Sequence, residues 1–293
     1  MRSLLPCLLS AIALLASGQA GAQSGAMIEG VQMPAWIERN EGGAAPRRIP
    51  VSPGIALKAG DTLSTGPGSR LLVKLSEGSL VKLGENASLQ LNELEPSDSL
   101  FKAALGVLQG AFRFTTAAVA KNRRRDITIG VATVTAGIRG TDLWGKSSPD
   151  KQIVCLIEGK VEVGAPGEAA VEMDQPRQFY QREKGTTAPV GIVEEAQLAE
   201  WARETEIEAG KGATRRGGKW NVDLLSADSQ NVALGVYEQV RAAGYAAEIF
   251  PVLKEEKRLY LVRIRNLPSK KEAQALAAQL RGKYGAAEPK VSS

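Results

Sequence analysis

Trp220-Asn221-Val222-Asp223-Leu224-Leu225 decides how the last quarter of the chain folds. Its side chains alternate as those of a half-buried strand do. Downstream, Ala233, Val236, Tyr237 and Val240 recur at helical spacing, and Gly244 stands where that helix must stop. Tyr245 to Leu253 and Leu259 to Ile264 are rich in β-branched and aromatic residues, which predicts two more strands. Ser269-Lys270-Lys271-Glu272 is a capping box, and Ala273, Leu276, Ala277 and Leu280 form the apolar face of the helix it starts. Residues 219–293 thus predict an α+β domain of order βαββαβ, with two helices on one side of a small sheet. The opposite sheet face is left open. Parity turns Tyr260, Val262 and Ile264 toward the helices and Leu259, Leu261 and Arg263 outward. Two outward leucines make an apolar patch, which marks an interaction site more often than an accident.

Through Val222-Asp223-Leu224-Leu225-Ser226, Gly244-Tyr245 and Leu259-Tyr260-Leu261-Val262-Arg263-Ile264, residues 219–291 resemble a SPOR domain, the wall-binding module of bacterial envelope proteins. The resemblance implies binding to septal peptidoglycan, with a preference for glycan strands stripped of their stem peptides. It places Asp223, Ser226, Leu259, Leu261 and Arg263 on the glycan-binding face. This chain departs from the family pattern at four places. Asp223 stands for a usual Gln, Leu225 for a common Gly, Leu261 for a frequent Arg, and Arg265-Asn266 for Gly-Pro. Gln donates and accepts hydrogen bonds, whereas an ionised Asp only accepts. The departures keep a rival open, a SPOR fold that has lost glycan binding and uses Leu259 and Leu261 to recognise a protein. Tyr260 and Trp220 offer stacking surfaces for sugar rings, set against ordinary packing within the sheet.

The N-terminus carries Arg2, an apolar run from Leu4 to Leu15, and Ala20-Gly21-Ala22. That sequence of regions predicts a secretory signal peptide over 1–22, cleaved after Ala22, and a periplasmic mature chain. No later stretch reaches the ~20 apolar residues of a membrane span. Cleavage leaves Cys155 as the one cysteine, in Ile153-Val154-Cys155-Leu156-Ile157, where a buried thiol is expected. The formal charge is +5, and residues 219–293 hold 12 Lys and Arg against 8 Asp and Glu. A mild positive bias suits an anionic wall polymer, and export argues against nucleic acid. Histidine is absent, which removes Ser-His-Asp and Cys-His schemes and His-ligated zinc. Glu85, Glu93, Glu95 and Asp98 remain for carboxylate chemistry but read as ordinary loop and strand-end charges. The expectation is a non-enzymatic protein without metal or cofactor.

Residues 23–192 read as short strands broken by Gly, Pro, Asn and Asp. Leu71-Leu72-Val73-Lys74-Leu75 and Leu80-Val81-Lys82-Leu83 flank a turn containing Gly78, a hairpin signal. The spacing predicts an all-β sandwich or roll. Gly60-Asp61-Thr62-Leu63-Ser64-Thr65, Gly110-Ala111-Phe112-Arg113-Phe114, Gly137-Ile138-Arg139-Gly140-Thr141-Asp142-Leu143 and Glu158-Gly159-Lys160-Val161-Glu162-Val163 together resemble a FecR domain. Founding members of that family relay a signal across the inner membrane to a sigma factor. Without the cytoplasmic segment and membrane helix of that relay, this chain is expected to act instead as an exported scaffold for another envelope protein. Arg139 and Asp142 invite a ligand-site reading, against a stronger one in which they satisfy the local backbone. Lys121-Asn122-Arg123-Arg124-Arg125 reads as a solvated loop, or as a contact for wall phosphates.

Residues 193–218 read as a linker. Leu198, Trp201, Ala202 and Thr205 lie on one side of a helix that Trp201 packs back on the β domain. Gly210 to Gly218 then reads as a flexible tether that lets the domains orient independently.

Overall fold

The structure, a computed structural model, describes residues 25–293 apart from 41, 43–45, 98 and 118–123, and without the side chain of Arg139. The expected signal peptide, Asp98 and the Lys121–Arg123 part of the basic run lie outside the described residues.

The spine of the N-terminal β domain is the strand Leu100–Thr115. Phe101, Ala103, Leu105 and Val107 alternate into the core. The alternation breaks at Leu108 and Gln109, both exposed, and resumes with Phe112 and Phe114 inside. The break bends one strand between two sets of partners. Its first half pairs antiparallel with Ser88–Pro96 and in parallel with Arg124–Val131. Its second half pairs antiparallel with Leu80–Leu83 and with Val134–Ser147. The hairpin of Arg70–Leu75 with Leu80–Leu83 forms where the pattern places it. Among the described residues seventeen strands are joined in this way, most of them around one large apolar core.

Two local features differ from the sequence reading or explain it. Arg124 and Arg125 belong to a strand, not a loop. Arg125 sits 3.6 Å from the buried carboxylate of Glu77 and donates to the Ala117 carbonyl, so its charge is used inside the domain. In the Gly137–Leu143 stretch the pairing with Lys151–Gly164 slips around Gly140 and Thr141. Thr141 Oγ1 donates to the Lys160 carbonyl at 2.5 Å, and Arg113 holds both carboxylate oxygens of Asp142 at 2.9 and 2.7 Å. Asp142 is therefore engaged in a bulged strand and not offered to a ligand.

The helix Glu195–Arg203 turns Trp201 onto Trp144, with ring centroids 4.8 Å apart and planes 8° from parallel, and Phe179 meets Trp201 edge-on. Cys155 lies buried in the same cluster.

The stretch Gly210–Gly218 is not a free tether. Thr214 and Arg215 pair with Val31 and Gly30, and Arg216 N–H reaches the Glu29 carbonyl at 3.3 Å. Ala213 is buried. Glu272 takes the backbone N–H groups of Gly210, Gly212 and Ala213 on its carboxylate, the latter two at 2.7 and 3.0 Å. A carboxylate accepting several N–H groups holds them more strongly than a neutral acceptor does. Met33 to Trp36 complete the contact. The Gly244 carbonyl accepts from Ala35 N–H at 3.2 Å, and the Trp36 ring lies against Gly244. One apolar cluster consequently runs through both domains. Gly-rich composition permits a flexible chain, but backbone pairing and a buried acceptor remove that freedom here.

Candidate binding face

The C-terminal domain is built from strands Trp220–Ala227, Ala247–Lys254, Lys257–Leu267 and Lys290–Ser292 and helices Gln230–Ala242 and Lys270–Leu280. In space the four strands run in the order 247–254, 257–267, 220–227, 290–292, all antiparallel. Ser229 and Ser269 cap the two helices through their hydroxyls. Glu272, the fourth residue of the expected capping box, does not turn back on Ser269, because its carboxylate is taken by the interdomain amides. Val222, Leu224, Val262 and Ile264 from the sheet meet Ala233, Val236, Val240, Ala273 and Leu276 from the helices. Burying an aliphatic side chain contributes about 1.5–3 kcal/mol, so this layer holds the module together.

The N-terminal domain reaches Gly244 and the linker reaches Glu272, both on the helix side, while Asp223, Leu259, Leu261 and Arg263 on the opposite sheet face remain partly exposed. Asp223 and Arg263 are direct cross-strand partners there. Arg263 Nε lies 2.5 Å from Asp223 Oδ1 and Nη2 3.2 Å from Oδ2, while Nη2 also reaches Ser292 Oγ at 3.2 Å. Ser226 faces Leu261 two positions along, beyond a bulge at Leu224 and Leu225. A bulge sets two residues against one and re-aims the side chains beyond it. A groove of about 340 Å³ runs here, lined by Asp223, Leu225, Ser226, Leu261, Glu288 and Lys290, among others.

The expected site residues thus divide. Asp223, Ser226 and Leu261 share the groove, and Arg263 joins it through Asp223. Leu259 lies outside it, paired with Val252 on the far side of its strand. Phe250 pairs with Leu261, so Phe250, Val252, Leu259 and Leu261 are set as a half-buried apolar stripe across two strands. Arg265 stands 5.6 Å above the Phe250 ring and 3.6 Å from Glu248. Phe250 and Val252 escaped the sequence reading, although the alternation Glu248, Phe250, Val252 within a predicted strand carries the signal. Tyr260 and Trp220 pack against the core instead, which removes both as stacking surfaces on this face.

The family model for FecR protein matches residues 61–162, and that for the SPOR domain matches residues 217–290. The chain carries a FecR domain followed by a SPOR domain. No curated protein matches it. Two crystal structures of a "putative anti-sigma factor" from Parabacteroides distasonis ATCC 8503 are similar at a TM-score of 0.40 and 14% identity. They cover 75% and 74% of this chain and 89% of their own. FecR and SPOR domains are binding or regulatory modules of envelope proteins. Among the described residues of this FecR–SPOR protein, no helix is long and apolar enough to cross a membrane.

Proposed function

We propose that the protein is exported, with cleavage after Ala22, and acts without catalysis in the periplasm. Its SPOR domain docks on glycan strands of peptidoglycan, with a preference for the denuded strands of the septum. The observation that carries this reading is the SPOR sheet face, which the FecR domain leaves open while gripping the helix side. Sugar rings bury their C–H faces on apolar side chains and direct hydroxyls to polar rims. The stripe Phe250–Leu261 and Val252–Leu259 beside Ser226, Arg263 and Lys290 offers both chemistries. The FecR domain, held in fixed orientation behind that face, would recruit a second envelope protein.

A second reading has a specific observation in its favour. Arg263 occupies both oxygens of Asp223, and four apolar side chains dominate the strands 247–254 and 257–267 on this face, a composition that suits a protein surface. The deciding experiment is pelleting of the mature chain with intact and with amidase-treated sacculi, beside the Asp223→Gln/Leu261→Arg variant. Preferential pelleting of the native chain with amidase-treated sacculi supports glycan docking. Absence of pelleting by the native chain, with binding gained by the variant, supports a protein partner.

A further inference from the structure

We propose that Arg70, on the FecR side of the molecule, anchors a binding site for a singly charged carboxylate. Arg70 opens the strand Arg70–Leu75 and is 9% exposed. Its Nη1 donates to the Ser69 carbonyl at 2.7 Å, and its Nε is buried without an acceptor. Among the described residues the other well-shielded arginines of this domain each face an acid: Arg39 meets Asp61, Arg113 meets Asp142, Arg125 meets Glu77 and Arg182 meets Glu168. Among the described residues Arg70 has no such ion pair. A buried cation without a counter-ion is unfavourable, and an anionic ligand that pairs with it would relieve that cost.

Arg70 lines a cavity of about 360 Å³ together with Glu85, Asn86, Gln109, Lys146 and Glu204. The two acids are already engaged. Glu204 pairs with Lys146 at 2.7 Å, and Glu85 accepts the Gly68 N–H at 2.7 Å. A backbone N–H leaves the charge of Glu85 in place, so what singles out Arg70 is its lack of a direct ion pair. A guanidinium presents a planar fork of donors that matches a carboxylate or a phosphate in two-point contact. Two carboxylates in the same cavity repel a dianion more than a monoanion, so a carboxylate fits better than a phosphate. The amides of Asn86 and Gln109 add donors to its rim. The ligand class is therefore a small molecule or chain end bearing one free carboxylate.

The test titrates the mature chain with acetate, against chloride and inorganic phosphate at constant ionic strength. It follows the Arg70 Nε–H resonance and the melting temperature. Acetate is expected to move both saturably, and phosphate to do so less. Arg70→Lys keeps the charge but loses the fork, and should raise the acetate midpoint about tenfold. Arg70→Met should abolish the response while leaving the acetate-free melting temperature equal or higher, since an apolar chain replaces an unpaired charge. A native chain indifferent to acetate, a stronger response to phosphate, or an Arg70→Lys midpoint equal to the native one would each overturn the proposal. If Arg70→Met does not fold, the native titration and Arg70→Lys still decide.

Discussion

Arg263 grips both carboxylate oxygens of Asp223 from the directly opposed position on the neighbouring strand, and its Nη2 also touches Ser292 Oγ. The pair ties the central strand Lys257–Leu267 to Trp220–Ala227 and, through Ser292, to the edge strand. It also consumes the two charges best placed to greet a ligand on the open face. Whatever binds there must either open this pair or use the apolar stripe beside it.

The pair is about a fifth to a quarter exposed, at 26% for Arg263 and 19% for Asp223. Solvent screens it accordingly, and Asp223→Ala should lower stability by about 1 kcal/mol or less in urea denaturation. A loss above about 3 kcal/mol would mean that the pair behaves as a dry, buried one.

Glu272 is 7% exposed and holds three backbone amides. Each hydrogen bond to a charged acceptor contributes about 1.5–3 kcal/mol, so Glu272→Ala should cost at least about 3 kcal/mol. Amide exchange at Gly210, Gly212 and Ala213 should accelerate, and small-angle scattering should show the domains separating. Unchanged exchange at those three amides would refute the clamp.

Gly244 and Gly235 should respond to alanine in opposite directions. At Gly244 φ is +87°, and an added Cβ would lie 2.5 Å from the Trp36 ring and 2.8 Å from Pro34. Gly244→Ala combines a left-handed backbone with an interdomain clash, and should cost more than about 1–2 kcal/mol. Gly235 lies inside Gln230–Ala242 with nothing within 4 Å of an added Cβ. Gly235→Ala should stabilise by about 0.5–1 kcal/mol. Calorimetry on the two variants distinguishes these outcomes.

Burial pushes the Cys155 thiol from 9.0 up to about 12, and burial likewise raises Tyr245 from 10.0 to about 12. Both groups are held neutral in the folded state. Their stabilisation is complete below the unfolded values and is lost as pH rises from about 9 through 12. Stability should therefore fall steeply between about pH 9 and 11, less so in Cys155→Ala. The native thiol should resist aromatic disulfide reagents at about pH 8 and react on unfolding. Rapid labelling of the folded chain would contradict the burial.

Legibility differed between kinds of feature. The helix stop at Gly244, the Ser269 cap and the hairpin of residues 70–83 follow from local rules that act within a few residues. Trp201 was also readable, since a tryptophan on a short helix seeks an apolar partner. Its partner, Trp144, sits 57 positions earlier and carries no local mark. Phe250 and Val252 were present in the alternation of their strand, but which face they share with Leu261 and Leu259 depends on the register of the hairpin. The bulge at Leu224 and Leu225 shifts that register again for Ser226. The tether failed for a different reason: glycines allow both a loose chain and a tightly paired one, and only a partner chooses between them.

By itself the sequence determined the order of strands and helices in the C-terminal domain, an all-β region before it, and an open sheet face, because periodicity, caps and turns are short-range; the FecR and SPOR domains were legible through the resemblance of their motifs. Tertiary structure alone decided that Asp223 closes on Arg263, that Glu272 abandons its own helix end for the linker, and that Arg70 is left without an acid. Each of these depends on which distant groups a buried or partly shielded charge can reach, and such a charge is governed by its nearest partners, not by its neighbours in the chain.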